Sequence, residues 1–283
     1  MRRQRAAIRR RRLLAGGLLA GGFAIAAYIA LSLTVFAPVD THGARVIHLT
    51  VHSKAVGEDL GLDVVVPGGK ERRRPLLVFL HGRNGSPSSS TDDEAMFERL
   101  AKLGRHAPVI AFPSGKDSYW HNRDDGDWGD YVMDEVIPLA SKEGDADPGR
   151  VAIGGISMGG FGAYDLALLH PGRFCAVGGH SPALWLEGGA SAPGAFDDAE
   201  DFERHDVIAR AREDPGAFGA IPIWNDAGRE DPFLISDVAL DEALEEGGAD
   251  LTDHVWPGGH ERSYWDRHWG AYLRFYARAL AHC

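Results

Sequence analysis

Ser157 has the residue type and the sequence surroundings of a catalytic nucleophile. It lies in Gly155-Ile-Ser157-Met-Gly159, a match to the pattern G-x-S-x-G, between an apolar run and a stretch suited to a helix. Glycine is required on both sides, because strand and helix approach each other there without room for Cβ atoms. The pattern predicts a strained turn that lifts the serine hydroxyl above the positive end of a helix. A glycine-rich turn with a structural serine is the alternative interpretation.

A serine of this kind needs a base, because its hydroxyl is not nucleophilic at neutral pH. His260, directly after Pro257-Gly-Gly, is the candidate base. Asp231 is the candidate residue that holds the imidazole tautomer and stabilises its positive charge. Asp226 lies earlier in the same loop and competes with Asp231, which is better placed at the start of a helix. Each of the three candidates follows a predicted strand, and parallel strands collect such residues at one edge of a sheet.

The oxyanion formed when serine attacks an ester needs two backbone donors. The N–H of Met158, next to the serine, is the first candidate. The N–H of Arg83, after His81-Gly82, is the second. His81 itself is interpreted as a buried, hydrogen-bonded residue that shapes this loop.

Four aromatic residues are candidates for lining an acyl or aromatic pocket, with plain packing as the alternative. They are Tyr119, Trp120, Trp128 and Trp185. The acidic loop 119–128 fits no register of the D-x-[DN]-x-[DN]-G calcium pattern, so it is interpreted as a solvated loop near the site.

Strand and helix patterns alternate through most of the chain, which predicts an α/β domain with a doubly wound, mostly parallel sheet. Strands are predicted at 44–51, 60–66, 75–80, 109–112, 151–153, 174–177, 221–224 and 251–256. Helices are predicted at 91–102, 128–140, 158–170, 233–246 and 264–281. Thr91 and Glu94 form a capping-box pattern at the first of these helices. Residues 182–219 are expected to form a short helical excursion over the site.

The N-terminal residues predict a membrane anchor. Residues 1–12 hold seven arginines and no acid, and residues 13–37 carry no charge. Such a segment is long enough to cross a bilayer core of ~30 Å, with the arginines on the cytoplasmic side. We therefore expect a basic cytoplasmic segment at 1–12, a transmembrane signal anchor at 13–37, a linker at 38–43 and an extracytoplasmic domain at 44–283. A cleaved signal peptide, which would release the domain, is the alternative.

Charge and cysteine content exclude several classes of partner and site. The net charge is −11, and it falls to −18 without the seven N-terminal arginines. An exterior this acidic repels phosphate backbones, so nucleic acid is not an expected partner. Cys175 and Cys283 cannot form a disulfide framework or a four-ligand zinc site, and two free thiols are expected, although an exported domain could join them.

The chain resembles the esterase D-like branch of the α/β hydrolases over roughly residues 44–283. This branch contains S-formylglutathione hydrolases, feruloyl esterases and the mycolyltransferases of the antigen 85 complex. The most specific segments are Gly154-Gly-Ile-Ser157-Met-Gly-Gly160, Trp128-Gly-Asp-Tyr-Val-Met-Asp-Glu-Val-Ile-Pro138, Gly228-Arg-Glu-Asp231 and Pro257-Gly-Gly-His260-Glu-Arg-Ser-Tyr-Trp265.

The resemblance implies an α/β-hydrolase fold and acyl transfer through a serine acyl-enzyme, with no metal and no organic cofactor. The chain is thus predicted to be a serine esterase acting on a small-molecule or lipid ester. An acyltransferase that passes the acyl group to a sugar or lipid hydroxyl is the rival within the same mechanism. A non-catalytic glycolipid-binding protein of the same fold is the rival from another class.

Overall fold

The computed structural model describes residues 39–214 and 216–283, and this part of the chain contains ten strands. They are β1 (Arg45–His52), β2 (Asp59–Val66), β3 (Arg74–Leu80), β4 (Val109–Pro113), β5 (Asn122–Arg123), β6 (Gly126–Asp127), β7 (Ala146–Ile156), β8 (Val177–His180), β9 (Ile223–Gly228) and β10 (Leu251–Trp256). Eight of them form one sheet in the order β1-β2-β4-β3-β7-β8-β9-β10. The pairs β1/β2 and β2/β4 are antiparallel, and the other pairs of this sheet are parallel. The prediction of a mostly parallel sheet is therefore confirmed.

The helices follow the strands in the alternating order that the sequence predicts. They are α1 (Ser88–Thr91), α2 (Glu94–Lys102), α3 (Trp128–Asp130), α4 (Ile137–Gly144), α5 (Met158–Leu169), α6 (Ala199–Arg204), α7 (Val207–Glu213), α8 (Leu234–Glu246) and α9 (Arg262–Ala281). A π-helical segment, Tyr131–Val136, joins α3 to α4. Residues 182–214, called the cap below, carry α6 and α7.

Helices cover both faces of the sheet, as two adjacent glycines of β8 show. A Cβ on Gly178 would lie 2.3 Å from the Tyr276 hydroxyl of α9, and a Cβ on Gly179 would lie 2.6 Å from the Tyr164 ring of α5. Neighbouring residues of a strand face opposite sides of a sheet, so α5 and α9 pack on opposite faces. The middle of β3 is accordingly apolar, with Leu76 to Val78 fully buried.

Two predicted element boundaries are wrong for identifiable reasons. Asp93, not Thr91, caps α2, because its side chain accepts the Ala95 N–H. The Thr91 hydroxyl is used elsewhere and donates to Asp63 Oδ2 at 2.9 Å. The strand predicted at 174–177 lies instead at Val177–His180, and it includes Gly178 and Gly179, where the covering helices leave no space for a side chain.

Within the described residues, no helix is both long enough and apolar enough to span a membrane. The predicted basic segment at 1–12 and the predicted anchor at 13–37 lie outside the described residues.

The expectation of two free thiols is wrong, because Cys175 and Cys283 form a disulfide with Cα atoms 5.7 Å apart. Helix α9 begins at the carboxyl edge of the sheet, after β10, and its 20 residues run back over one face. The chain therefore ends near the edge where β8 begins, just after Cys175. Only the return path of the last helix brings the two cysteines together, and that path cannot be read from their positions in the sequence.

We expect the substitution Cys283→Ser to lower the free energy of unfolding by about 2–4 kcal/mol, because the bridge closes a long loop in the unfolded chain. Urea unfolding followed by circular dichroism measures this loss. Cys175→Ser should produce the same loss, and the double variant should lose no more than either single one. An unchanged unfolding midpoint in Cys283→Ser would contradict the bridge.

Candidate functional site

Ser157 lies between β7 and α5 in a backbone conformation that side chains rarely adopt, with φ +55° and ψ −116°. The flanking glycines make this turn possible. A Cβ on Gly155 would lie 2.5 Å from the backbone of Gly159, and a Cβ on Gly159 would lie 2.1 Å from the carbonyl oxygen of Leu80. Backbone hydrogen bonds fix the strained residue, since the Ser157 N–H donates to His180 O and the Ala183 N–H donates to Ser157 O, each at 3.0 Å.

The structure brings the three residues predicted from the sequence into one line of hydrogen bonds. The Ser157 hydroxyl oxygen lies 2.8 Å from Nε2 of His260, and Nδ1 of His260 lies 3.0 Å from Oδ2 of Asp231. The Asp231 side chain is fully buried, whereas that of His260 is 22% exposed. The imidazole therefore lies between a buried carboxylate and a hydroxyl, and it can take the hydroxyl proton at Nε2 while Nδ1–H donates to Asp231.

Asp231 is held as a carboxylate despite its burial. Burial acts to raise the pKa of Asp231, but hydrogen bonds from His260 and from the Phe233 N–H outweigh it and lower this pKa below its usual value. The competing residue, Asp226, is placed elsewhere. It accepts hydrogen bonds from His180, Trp224, Tyr264 and Tyr272 in a buried cluster.

The loop after β3 passes directly over the serine. A Cβ on Gly82 would lie 3.3 Å from Cβ of Ser157, so the backbone that leads to Arg83 lies next to the candidate nucleophile. His81 holds this loop. Its Nε2 accepts the Gly115 N–H at 3.0 Å, so its Nδ1 carries the proton and donates to Gly82 O at 2.8 Å. Burial lowers the pKa of His81, which favours this neutral form.

The other predicted backbone donor, Met158, is the first residue of α5. The first N–H groups of a helix have no acceptor within the helix, so this group is available to a ligand. Ser157 and His260 form part of the wall of a cavity of about 600 Å³, to which Gly82 and Arg83 also contribute.

Of the four aromatic residues predicted to line the pocket, only Tyr119 borders this cavity. Trp120 is fully buried, and its Nε1 donates to His81 O at 3.2 Å. Trp128 borders a neighbouring cavity of about 620 Å³. Trp185 packs against Tyr119 and Phe233, each at 5.7 Å between ring centroids.

Sequence reasoning missed most of the aromatic wall, which consists of Phe233, Trp265 and Trp269. Trp265 and Trp269 are four residues apart on α9, so they lie on one face of the helix that begins just after His260. The four-residue spacing of these two tryptophans is the sequence feature that could have indicated a shared aromatic face near His260. Phe233 gave no such signal, because it follows Asp231 in a turn and has no periodic partner.

The sequence and the fold of the chain are similar to those of known proteins. A family model described as "Putative esterase" matches residues 53–275. The iron(III) enterobactin esterase of Dickeya dadantii is 26% identical over 200 residues, which cover 68% of this chain and 45% of that relative. The chain thus spans about half the length of this curated relative.

Two solved structures share the fold. A ferulic acid esterase superimposes with a TM-score of 0.74 at 22% identity, covering 83% of this chain and 98% of that one. MPT51 of Mycobacterium tuberculosis gives a TM-score of 0.65 at 17% identity, covering 83% and 99%. The predicted α/β-hydrolase fold and the resemblance to the esterase D-like branch are confirmed.

A second carboxyl group near the site, that of Asp237, is buried without a hydrogen-bond partner among the described residues. Asp237 is 2% exposed, and both of its oxygens lack such a partner. Burial, and then the negative charges of Asp231, Asp241 and Asp226, raises the pKa of Asp237 well above its usual value. At any pH between its unfolded and its folded pKa, this group binds on folding a proton that it releases in the unfolded chain, which costs free energy that grows as the pH rises.

We expect Asp237→Asn to stabilise the chain increasingly with pH, because asparagine removes this proton uptake. The free energy of unfolding of the variant, relative to the unsubstituted chain, should rise by about 1.4 kcal/mol per pH unit above the unfolded pKa, as long as the folded group stays protonated. Urea titrations between pH 5 and 8 measure the trend. A difference that stays constant over this range would show that Asp237 is not held protonated.

Proposed function

Since the chain belongs to this esterase family, we propose that it cleaves carboxylic esters with Ser157 as nucleophile, His260 as general base and Asp231 as the residue that orients the base. The observation that carries the proposal is the unbroken line of hydrogen bonds from the Ser157 hydroxyl through His260 to Asp231, at the wall of an aromatic cavity. A strained serine conformation that requires two glycines adds support, because a binding protein has no need of it.

The first half of the proposed reaction forms an acyl-enzyme. The Ser157 oxygen attacks the ester carbonyl carbon while its proton passes to Nε2 of His260. The carbonyl oxygen becomes an oxyanion, which accepts hydrogen bonds from the N–H groups of Met158 and Arg83. Collapse of this intermediate breaks the bond to the alcohol oxygen, and the alcohol leaves with the proton from His260.

The second half releases the acid. A water molecule gives a proton to Nε2 of His260 and attacks the acyl carbon, and the bond to Ser157 then breaks as its oxygen regains the proton. Asp231, ionised and buried, stabilises the imidazolium in both halves. Tyr119 and the aromatic residues Phe233, Trp265 and Trp269 offer an apolar surface to the acyl or alcohol group.

Acyl transfer to a hydroxyl group other than water is the second candidate function. The neighbouring cavity of about 620 Å³ favours it, because the two cavities share Arg83, Asn84 and Gly85 and the second is lined by charged side chains. A polyol could lie there beside the acyl-enzyme.

We also propose that the domain at 44–283 lies outside the cytoplasmic membrane, anchored by residues 13–37. The disulfide between Cys175 and Cys283 supports this proposal, because such bonds persist in oxidising compartments and are rare in the cytosol. Protease added to intact cells should remove the domain, whereas protection of the domain until the cells are lysed would contradict the proposal.

We expect stopped-flow kinetics with p-nitrophenyl esters to show a burst of one p-nitrophenol per chain, which reports the acyl-enzyme. Ser157→Ala should abolish the burst, and Asp231→Asn should lower kcat by about 10³- to 10⁴-fold, because the base loses its tautomer. Ser263→Ala, which replaces an exposed serine near His260, is the matched control and should leave the burst intact.

Two other outcomes of this experiment are informative: one would favour acyl transfer over hydrolysis, and the other would reject Ser157 as the nucleophile. A burst followed by turnover only when glycerol or a sugar is added would favour acyl transfer over hydrolysis. A full burst in folded Ser157→Ala would contradict the assignment of the nucleophile.

A further inference from the structure

Three potential metal ligands converge between the cap and helix α5, outside the proposed catalytic site. Asp201 lies in α6, and His205, four residues later, ends that helix, so both side chains lie on one helix face. His121 reaches them from the loop before β5. The exposed fractions of the side chains are 0% for His121, 1% for Asp201 and 10% for His205.

The distances in this cluster suit a single small cation. One nitrogen or oxygen atom from each residue lies within 4.8 Å of the others. Nε2 of His121 is 3.1 Å from Oδ2 of Asp201, and Nε2 of His205 is 3.6 Å from Oδ1 of Asp201. Ligand atoms around a tetrahedral zinc ion, with bonds of about 2.0–2.2 Å, lie roughly 3.4 Å from one another.

The proton positions also favour a cation. Nδ1 of His205 lies 2.9 Å from Oδ2 of Asp165, a carboxylate that Arg210 contacts at 3.3 Å. Because a carboxylate only accepts, Nδ1 of His205 carries a proton, and in the neutral ring Nε2 then presents a lone pair. That lone pair and Asp201 Oδ1 are two acceptors that face each other. A metal-binding histidine typically donates its other N–H to a carboxylate in this way.

Hydrogen bonding alone does not satisfy the cluster. If His205 were protonated at both nitrogens, its Nε2 would still be 3.6 Å from Asp201 Oδ1, which is too long for a hydrogen bond. Nε2 of His121, by contrast, can donate to Asp201 Oδ2 at 3.1 Å, and a bound metal ion would take the place of that proton. Asp201 also accepts hydrogen bonds from Arg204 at 3.1 Å and from the Asp197 N–H at 2.9 Å, but a carboxylate has capacity for these and a cation.

We propose that His121, Asp201 and His205 bind one divalent transition-metal ion, with solvent as the fourth ligand. Two imidazoles and one carboxylate suit zinc, cobalt or nickel better than calcium or magnesium, which prefer oxygen donors. The expectation of a chain without metal does not hold under this proposal. The bound ion would connect three parts of the structure. These are the loop that carries Tyr119, the cap and, through the hydrogen bond from His205 to Asp165, helix α5.

The test uses the untagged full-length chain in detergent, stripped of metal with a chelator. After incubation with Zn²⁺ or Co²⁺ and removal of the excess, elemental analysis should find about one ion per chain. Thermal unfolding should shift upward by about 5 °C or more, as expected for a ligand that binds only the folded state well above its dissociation constant. Bound Co²⁺ should give the visible absorption of a tetrahedral site.

The variants His205→Gln and Asp201→Asn should retain at least tenfold less metal, and their unfolding midpoints should no longer respond to Zn²⁺. His42→Gln is the matched control, since it disrupts the exposed group of Asp40, His42 and Glu94, the other set of potential ligands in the described residues. It should bind metal as the unsubstituted chain does.

Two results would overturn the proposal: less than a tenth of an ion in the folded, unsubstituted chain, or equal retention in folded His205→Gln. Should both ligand variants fail to fold, anomalous diffraction at the zinc edge from crystals of the unsubstituted chain decides. A peak between His121, Asp201 and His205 supports the site, and a peak elsewhere or none rejects it. None of these readouts depends on ester hydrolysis.

Discussion

The close approach of three backbone segments around Ser157 is the constraint on which the rest of this structure depends. The end of β7, the start of α5 and the end of β3 meet so tightly that a single Cβ on Gly159 would reach within 2.1 Å of Leu80 O. This contact fixes the serine at a positive φ and sets its hydroxyl above the sheet edge. It also brings the loop at Gly82 against the serine, so that the proposed nucleophile and the proposed oxyanion donors share one rigid frame.

The free-energy cost of burying a charge is the second constraint. Three buried carboxyl groups near the site differ in how this cost is offset or avoided. Asp231 remains ionised, because His260 and a backbone N–H stabilise its negative charge. Burial and the negative charges around Asp237 raise the pKa of its carboxyl group and favour the neutral form. Asp226 is surrounded by four donors from His180, Trp224, Tyr264 and Tyr272. Of these three carboxyl groups, Asp231 alone contacts His260, which is what a base with a single defined tautomer requires.

The residues that depend on local pattern and strand order could be predicted from the sequence. Ser157, Asp231 and His260 each follow a strand, and a parallel sheet gathers strand ends at one edge, so their convergence followed from topology alone. The choice of Asp231 over Asp226 also rested on local placement at a helix start.

Features that depend on how distant elements pack could not be predicted from the sequence. The bridge between Cys175 and Cys283 forms because α9 runs back over the sheet to the edge where Cys175 lies. Trp265 and Trp269 border the cavity because of the way in which α9 packs on the sheet. Neither arrangement can be deduced from sequence spacing. The cluster of His121, Asp201 and His205 depends on where the cap folds onto α5, a region without clear periodicity. Trp120 follows Tyr119, which borders the cavity, but its own ring fills the space beside Gly115 and Gly162, and the sequence does not show this difference.

Covalent labelling of the folded chain with a fluorophosphonate, followed by peptide mass spectrometry, tests the central claim most directly. The account predicts one adduct per chain, located on Ser157 and strongly reduced in His260→Ala, because the serine is activated only through that imidazole. A folded chain that stays unlabelled, or that carries the adduct on another residue, would contradict it.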